Sequence, residues 1–292
     1  MSALPERPIS MVIGALGGEG GGVMATWVVR AAEMCRYPTQ STSIPGVAQR
    51  TGATTYYVEI YPATHEAIGD KRLVMGLYPA PNNMDIVVTS ELMEAGRMLE
   101  NGMVTSDRTT QIASSHRVYS VVEKSAMGDG LFRGDKLYNA AQKLAKRAVL
   151  FDMASLAEKE GTVLNAIAFG VIAGSGELPI PEETFREAIR EFGVAVESNL
   201  KGFEIGLAYM KGELELPPSA PEKKTRKAKP NAESLLADVA ATYPAETQTI
   251  VSEGVKRLVD YQNPAYAKLY LDRMDTVPVS YTHLTLPTNR EV

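Results

Sequence analysis

The residues in this 292-residue chain that could do chemistry begin with a glycine run, Gly14-Ala-Leu-Gly17-Gly18-Glu19-Gly20-Gly21-Gly22. It lies between a short apolar stretch and a helical pattern, where N–H groups at a helix N-terminus can cradle a phosphate or pyrophosphate. It departs from the dinucleotide fingerprint. Leu16 takes the second glycine position counted from Gly14, Val23 takes the third counted from Gly18, and the Lys and Ser/Thr of a P-loop are missing. An anion cradle and a tight turn needing glycine only for its geometry both stay open. Gln49 and Arg50, in IPGVAQRTGA, form a donor pair between proline–glycine punctuation and a strand pattern. From there they could point at the same sheet edge as the first loop. Arg50 could clamp a carboxylate or phosphate in bidentate fashion, or simply pair with a surface carboxylate.

The remaining candidates are single residues. His116, in IASSHRVYS, could be an acid or base near neutral pH; a histidine satisfied structurally is the commoner case. Asn165 and Asn199 sit in helical patterns that disfavour asparagine, which a specific hydrogen bond would explain. Cys35 falls on the apolar face of the first helix and reads as packing. There is no G-x-S-x-G (residues 172–176 are IAGSG), no H-E-x-x-H and no C-x-x-C. His65, His116 and His283 have no metal-ligand spacing. Neither a catalytic set nor a metal site can be assigned. These residues describe a binding and partner-docking module.

The elements that must hold these loops read as an α/β pattern. Ile9–Ile13 is a buried strand, followed by the glycine turn and a helix with Met24, Trp27, Val28, Ala31 and Cys35 on one face. Thr54–Ile60 and Met84–Ser90 read as strands, and ELMEAGRMLE as a helix with Glu91 in its first turn. Short strands are predicted at Met103–Thr105 and Val118–Val122. A helix over Leu137–Ala148 then leads into a strand VLFD at 149–152. Helices follow at Thr162–Ala173, Pro181–Phe192 and Val194–Lys211. The alternation predicts a Rossmann-like, open, mostly parallel sheet with helices on both faces.

Composition bounds the function. Apolar residues make up 45% and charged residues 22%, enough for a sizeable core. The net charge of −5 argues against broad nucleic-acid binding, and no apolar run nears membrane-spanning length. The start, MSALPERPIS, lacks a signal-peptide pattern, so a cytoplasmic protein is expected. Cys35 is the only cysteine, too few for an internal disulfide or an iron–sulfur cluster of its own. Residues 217–230, PPSAPEKKTRKAKP, read as a solvated linker within 213–231. Residues 232–276 read as an incomplete helical region, with helices at Ala232–Thr242, Glu246–Asp260 and from near Tyr266. The stretch VSYTHLTLPTNREV looks like translated adapter read-through, so 277–292 is expected to be non-native, with the natural chain diverging near Thr276.

The order of motifs resembles the gamma-type domain of the 2-oxoacid:ferredoxin oxidoreductases. A strand is followed by G-x-x-G-G-E-G-G, then P-G-V-A-Q-R-x-G and another strand, then DIVVTSELMEAGRML, VLFD and LNAIAFGVIAGSGELPIPEETFREAI. The resemblance covers about residues 8–212 and is strongest to the long-form beta subunits acting on indolepyruvate. It implies oxidative decarboxylation of indolepyruvate or another aryl 2-oxoacid to an acyl-coenzyme A, with ferredoxin as acceptor. It also implies a hetero-oligomer. An alpha subunit would carry thiamine diphosphate, magnesium and the 4Fe–4S clusters; coenzyme A would be co-substrate; and this chain alone would bind no cofactor. Gly17, Gly18, Gly20 and Gly21 would form the family's glycine loop, and Gln49, Arg50 and Gly52 its second loop near the active site or coenzyme A. Two departures stand out: Glu19 where glutamine is usual, and Thr51 where glycine is frequent. The alternatives are a gamma subunit acting on pyruvate, a branched-chain oxoacid or 2-oxoglutarate, a stand-alone nucleotide-binding module, or a purely structural partner.

Overall fold

A computed structural model of the chain describes residues 4–44, 53–119, 123, 132–214 and 233–275. Six strands form one sheet in the order β2-β3-β1-β4-β5-β6: β1 (Ile9–Leu16), β2 (Thr39–Ile44), β3 (Ala53–Ile60), β4 (Ile86–Thr89), β5 (Thr110–Ser114) and β6 (Arg147–Phe151). The run β1-β4-β5-β6 is parallel, while β3 is antiparallel to both β1 and β2. The fold is therefore the expected α/β class, with an antiparallel ribbon at one edge of the parallel strands.

Alternation along each strand sorts the side chains onto two faces. Met11, Ile13, Ile86, Val88, Ile112, Val149 and Phe151 point into the larger core. There they meet α1 (Gly21–Met34), α5 (Met153–Glu160), α6 (Leu164–Ser175), α7 (Glu182–Phe192) and α8 (Val196–Lys211). The opposite face, through Val12, Val87 and Ala113, packs on α3 (Leu92–Glu100) and α4 (Gly134–Leu144). A one-turn helix, α2 (His65–Ile68), lies between β3 and β4. Burial on both faces explains why β1 and β4 are continuous apolar runs instead of alternating ones. Trp27, Phe169, Phe185 and Phe203 meet at the centre of the larger core, with Trp27–Phe169 and Phe169–Phe185 centroids 5.3 and 5.2 Å apart. Each such pair adds about 1 kcal/mol beyond area burial.

Helices α6 and α8 approach until their backbones touch. A Cβ on Gly170 would lie 2.0 Å from the Phe203 carbonyl oxygen, and one on Gly206 would lie 2.0 Å from that of Ile167. Asn199 is explained by its Nδ2, which donates to the Val194 carbonyl at 2.8 Å and braces the turn entering α8.

Two expected strands are corrected. Residues 103–105 are not a strand but the exit from α3. Gly102 takes φ 68° there, and the Met103 N–H donates back to the Met98 carbonyl at 2.9 Å. The strand at this place in the sheet is β5, whose sequence TQIAS hides its burial behind polar residues. Val118 and Tyr119 are in no strand, and residues 120–122 lie outside the described residues. The edge strand β2, TQSTSI, and helix α5 were not anticipated.

A second compact unit contributes residues 233–275 to the description. Helices α9 (Glu233–Thr242), α10 (Ala245–Tyr261) and α11 (Pro264–Met274) bury Leu235, Val239, Val251, Val255, Val259, Ala267 and Leu271 together. Asn263 caps α11 by accepting the Tyr266 N–H at 2.9 Å. Among the described residues, no helix is long and apolar enough to cross a membrane.

Gly206→Ala is expected to force α6 and α8 apart and lower unfolding free energy by about 3 kcal/mol, the upper range for overpacking. Urea denaturation of the full chain checks this; an unchanged midpoint would contradict the close approach.

Candidate functional site

The parallel strands end at one edge of the sheet. After β1 the chain leaves to the larger core's face as α1, and after β4 it leaves to the opposite face as α3. The gap between those carboxyl ends is a topological switch point, where open α/β sheets place their ligands.

The glycine run crosses this gap. Leu16 to Glu19 form a β-turn in which the Glu19 N–H donates to the Leu16 carbonyl at 3.1 Å. Gly18, with φ 95°, supplies the positive φ that a type II turn requires at its third residue. Gly20 follows at φ 76° as the N-cap of α1. A Cβ on Gly20 would lie 2.5 Å from Asn165 Nδ2, and that nitrogen donates to the Gly20 carbonyl at 3.3 Å. Asn165 therefore braces the turn from the first turn of α6. Gly21 packs against Ala15 and the Tyr56 ring with no room for a side chain. Gly17, Gly18, Gly20 and Gly21 thus come together as one turn, and geometry and close packing account for the glycines at 18, 20 and 21.

Glu19 fills the gap with its own carboxylate. Its Oε2 accepts a hydrogen bond from Ser90 Oγ, and Oε1 lies 3.7 Å from His116 Nε2. Ser90 follows β4 directly; its Oγ also accepts the Leu16 N–H at 3.2 Å, and its N–H donates to the Gly14 carbonyl at 3.0 Å. On the far side of the imidazole, Nδ1 is 2.8 Å from Ser114 Oγ, which accepts the Met153 N–H at 3.1 Å. The Ser114 hydroxyl, with one proton and two lone pairs, can serve Nδ1 as donor or acceptor while accepting the Met153 N–H. The His116 carbonyl accepts the Leu92 N–H at 3.0 Å and ties the β5 loop to the start of α3. Both ring nitrogens of His116 thus face a partner, one of them a carboxylate.

Burial alone would raise the Glu19 carboxyl, but the nearby His116 imidazole and hydrogen bonds from Ser90 and the Leu16 backbone outweigh it and hold the group below the usual carboxylate range. Nearby Glu91 goes the other way. Its burial pushes the carboxyl up, although it caps α3 by accepting the N–H groups of Met93 and Glu94 at 2.8 and 2.6 Å.

Gln49, Arg50, Thr51 and Gly52 lie outside the described residues. Ala53, the first described residue after them, pairs with Leu16, the residue that opens the glycine turn. Cys35 ends α1, half-buried against the larger core. Among the described residues, no group of three or more His, Cys, Asp or Glu is placed to hold a metal ion. Ser90 and Ser114 escaped the sequence reading. The one signal was that each is a serine closing an apolar strand, in MDIVVTS and TQIASS.

Because the Glu19 carboxyl is depressed in the fold, its contribution to stability is complete above the unfolded value of about pH 4.3 and is lost as pH falls through the lower folded value. Glu19→Gln is expected to lose less stability than the parent between about pH 5 and pH 3. Urea titrations across that range measure this, and parallel acid limbs would contradict it.

The family described as pyruvate ferredoxin/flavodoxin oxidoreductase matches residues 10–209, and a family of unknown function matches 247–285. No curated protein matches the chain. Among solved structures, the pyruvate oxidoreductase subunit PORC of Thermotoga maritima is similar, with 13% identity, TM-score 0.47 and coverage of 69% of this chain and 96% of that one. The gamma subunit of a keto/oxoacid ferredoxin oxidoreductase from Geobacter sulfurreducens gives 14% identity, TM-score 0.46, and 70% and 99% coverage. A 2-oxoglutarate:ferredoxin oxidoreductase from Magnetococcus marinus gives 13% identity and TM-score 0.48, over 93% of this chain and 42% of that one. With residues 10–209 matched as one continuous domain, the chain belongs to the pyruvate ferredoxin/flavodoxin oxidoreductase family.

Proposed function

We propose that this chain is a subunit of a thiamine-dependent 2-oxoacid:ferredoxin oxidoreductase, carrying no redox cofactor itself, and that the complex converts indolepyruvate or another aryl 2-oxoacid to an acyl-coenzyme A. The family match over residues 10–209 carries this reading. The choice of an aryl substrate rests on the motif resemblance alone.

The residues of the chain fit this division of labour. Cys35 is its single cysteine and cannot supply the thiolates of a 4Fe–4S cluster, so the clusters belong to an alpha subunit. The switch-point gap does not fit a diphosphate. Where phosphate oxygens would need donors, the Glu19 carboxylate already takes the Ser90 hydroxyl and faces His116. Thiamine diphosphate and its magnesium would then be held by the partner. Coenzyme A is a co-substrate of the complex, and its phosphates meet no cradle in this turn.

What this chain contributes is shape and donors. The turn Gly17–Gly21 presents a backbone edge beside the end of the sheet. Gln49, Arg50 and Gly52, on the second loop, are proposed to border the active site, with Gln49 and Arg50 donating hydrogen bonds to substrate or coenzyme A. Residues 8–212 would form the working domain, followed by a linker over 213–231 and a helical region from 232. A cytoplasmic location is consistent with this reading.

The test is co-expression with a candidate thiamine- and cluster-bearing alpha subunit. Reduction of ferredoxin or a viologen dye is then followed with indolepyruvate, pyruvate, a branched-chain oxoacid and 2-oxoglutarate. Activity that requires this chain and favours indolepyruvate is expected. Arg50→Ala should lower turnover of the assembled complex about tenfold, equivalent to about 1.4 kcal/mol in the barrier. Full activity without this chain would overturn the subunit reading, and preference for another 2-oxoacid would replace the substrate.

A further inference from the structure

Glu19 stands between two left-handed glycines, Gly18 at φ 95° and Gly20 at φ 76°, and its side chain is the part of the turn that reaches across the switch-point gap. On the β4 side it is anchored by Ser90 Oγ. On the β5 side it meets His116 Nε2 at 3.7 Å, beyond hydrogen-bond range for a neutral N–H but well placed for a charge pair. Both side chains are about four-fifths covered, at 19% exposure for His116 and 22% for Glu19, so water screens the pair only partly. The imidazole itself cannot swing away freely. Ser114 holds Nδ1 and is held in turn by the Met153 N–H.

The other charged groups on the surrounding elements are engaged elsewhere. Glu91, at the start of α3, takes the N–H groups of Met93, Glu94 and Val118. Glu94 is paired with Arg97 at 2.6 Å. Arg117, next to His116, is paired with Glu123. Asp152, at the start of α5, accepts the N–H and hydroxyl of Ser155. Glu91 has its carboxyl pushed up by burial but bonds backbone N–H groups of α3, so His116 is the group facing Glu19 across the gap that can carry a positive charge.

We propose that Glu19 is a positioning residue whose grip on the glycine turn is set by the protonation of His116. With the imidazole charged, the Glu19 carboxylate is held from both sides and the turn is fixed across the ends of β1, β4 and β5. With the imidazole neutral, the His116 side of that hold is lost, leaving Ser90 and the Leu16 N–H, and the turn can hinge at Gly18 and Gly20. That this motion matters to a partner subunit rests on the proposed function; the motion itself does not.

The experiment is hydrogen–deuterium exchange on the full chain, read on peptides spanning residues 14–23 at about pH 5.5 and pH 8 and corrected for intrinsic exchange. Protection of the turn is expected to be about fivefold greater at the lower pH, the scale of one partly exposed ion pair. Glu19→Gln keeps an acceptor for Ser90 but removes the charge, and His116→Gln removes the imidazole. Each should abolish the pH dependence. Should His116→Gln fail to fold, Glu19→Gln alone decides. Equal protection at both pH values, or a pH effect surviving Glu19→Gln, would overturn the proposal. Repeating the exchange beside the 2-oxoacid assay separates the two readings. A pH-dependent turn in a chain that supports no oxidoreductase activity refutes the subunit assignment and leaves the clasp standing.

Discussion

The arrangement depends on one tight reversal. Between Leu16 and the start of α1 the chain must leave a fully buried strand and enter a helix packed on the same face of the sheet. It does so with two left-handed residues, Gly18 and Gly20, where any side chain would be strained. The turn is also wedged from outside. Asn165 occupies the space a Gly20 side chain would need and donates to its carbonyl. Asn165 lies on α6, which is seated against α8 through the close contacts at Gly170 and Gly206. Helix packing in the core is thereby transmitted to the position of a loop at the sheet edge.

That loop sits at the place where an α/β sheet ordinarily offers a ligand site, and its chemistry differs from the ordinary one. A phosphate-binding turn presents unpaired N–H groups and leaves the space before them open. Here the turn carries its own carboxylate, which takes the Ser90 hydroxyl after β4 and faces His116, itself held by Ser114 of β5. The parallel strands β1, β4 and β5 are joined across their carboxyl ends by side chains of this chain. Such an end presents a shaped, hydrogen-bonded surface at the carboxyl edge of the sheet.

The sequence revealed elements in proportion to how strongly hydrophobicity marked them. ISMVI and MDIVVTS are apolar enough to read as buried strands, and the three- and four-residue spacing in α1 and α8 is plain. TQSTSI and TQIAS were missed. The first is an edge strand with little to bury, and the second is fully buried despite Thr110 and Gln111. Asn165 and Asn199 were legible as anomalies because asparagine in a helix asks for a specific partner, and both have one. The Glu19–His116 pairing was not legible. It depends on the lateral order β1-β4-β5, which brings residues nearly a hundred positions apart into contact and leaves no local trace in either segment.

The central claim is that the glycine turn is held by Glu19, Ser90 and His116 and is not a phosphate cradle. Calorimetric titration of the full chain with coenzyme A or ADP tests it most directly. No saturable binding of either diphosphate at this turn is expected. Tight, saturable binding that is lost on replacing Gly18 or Gly20 with alanine would contradict it.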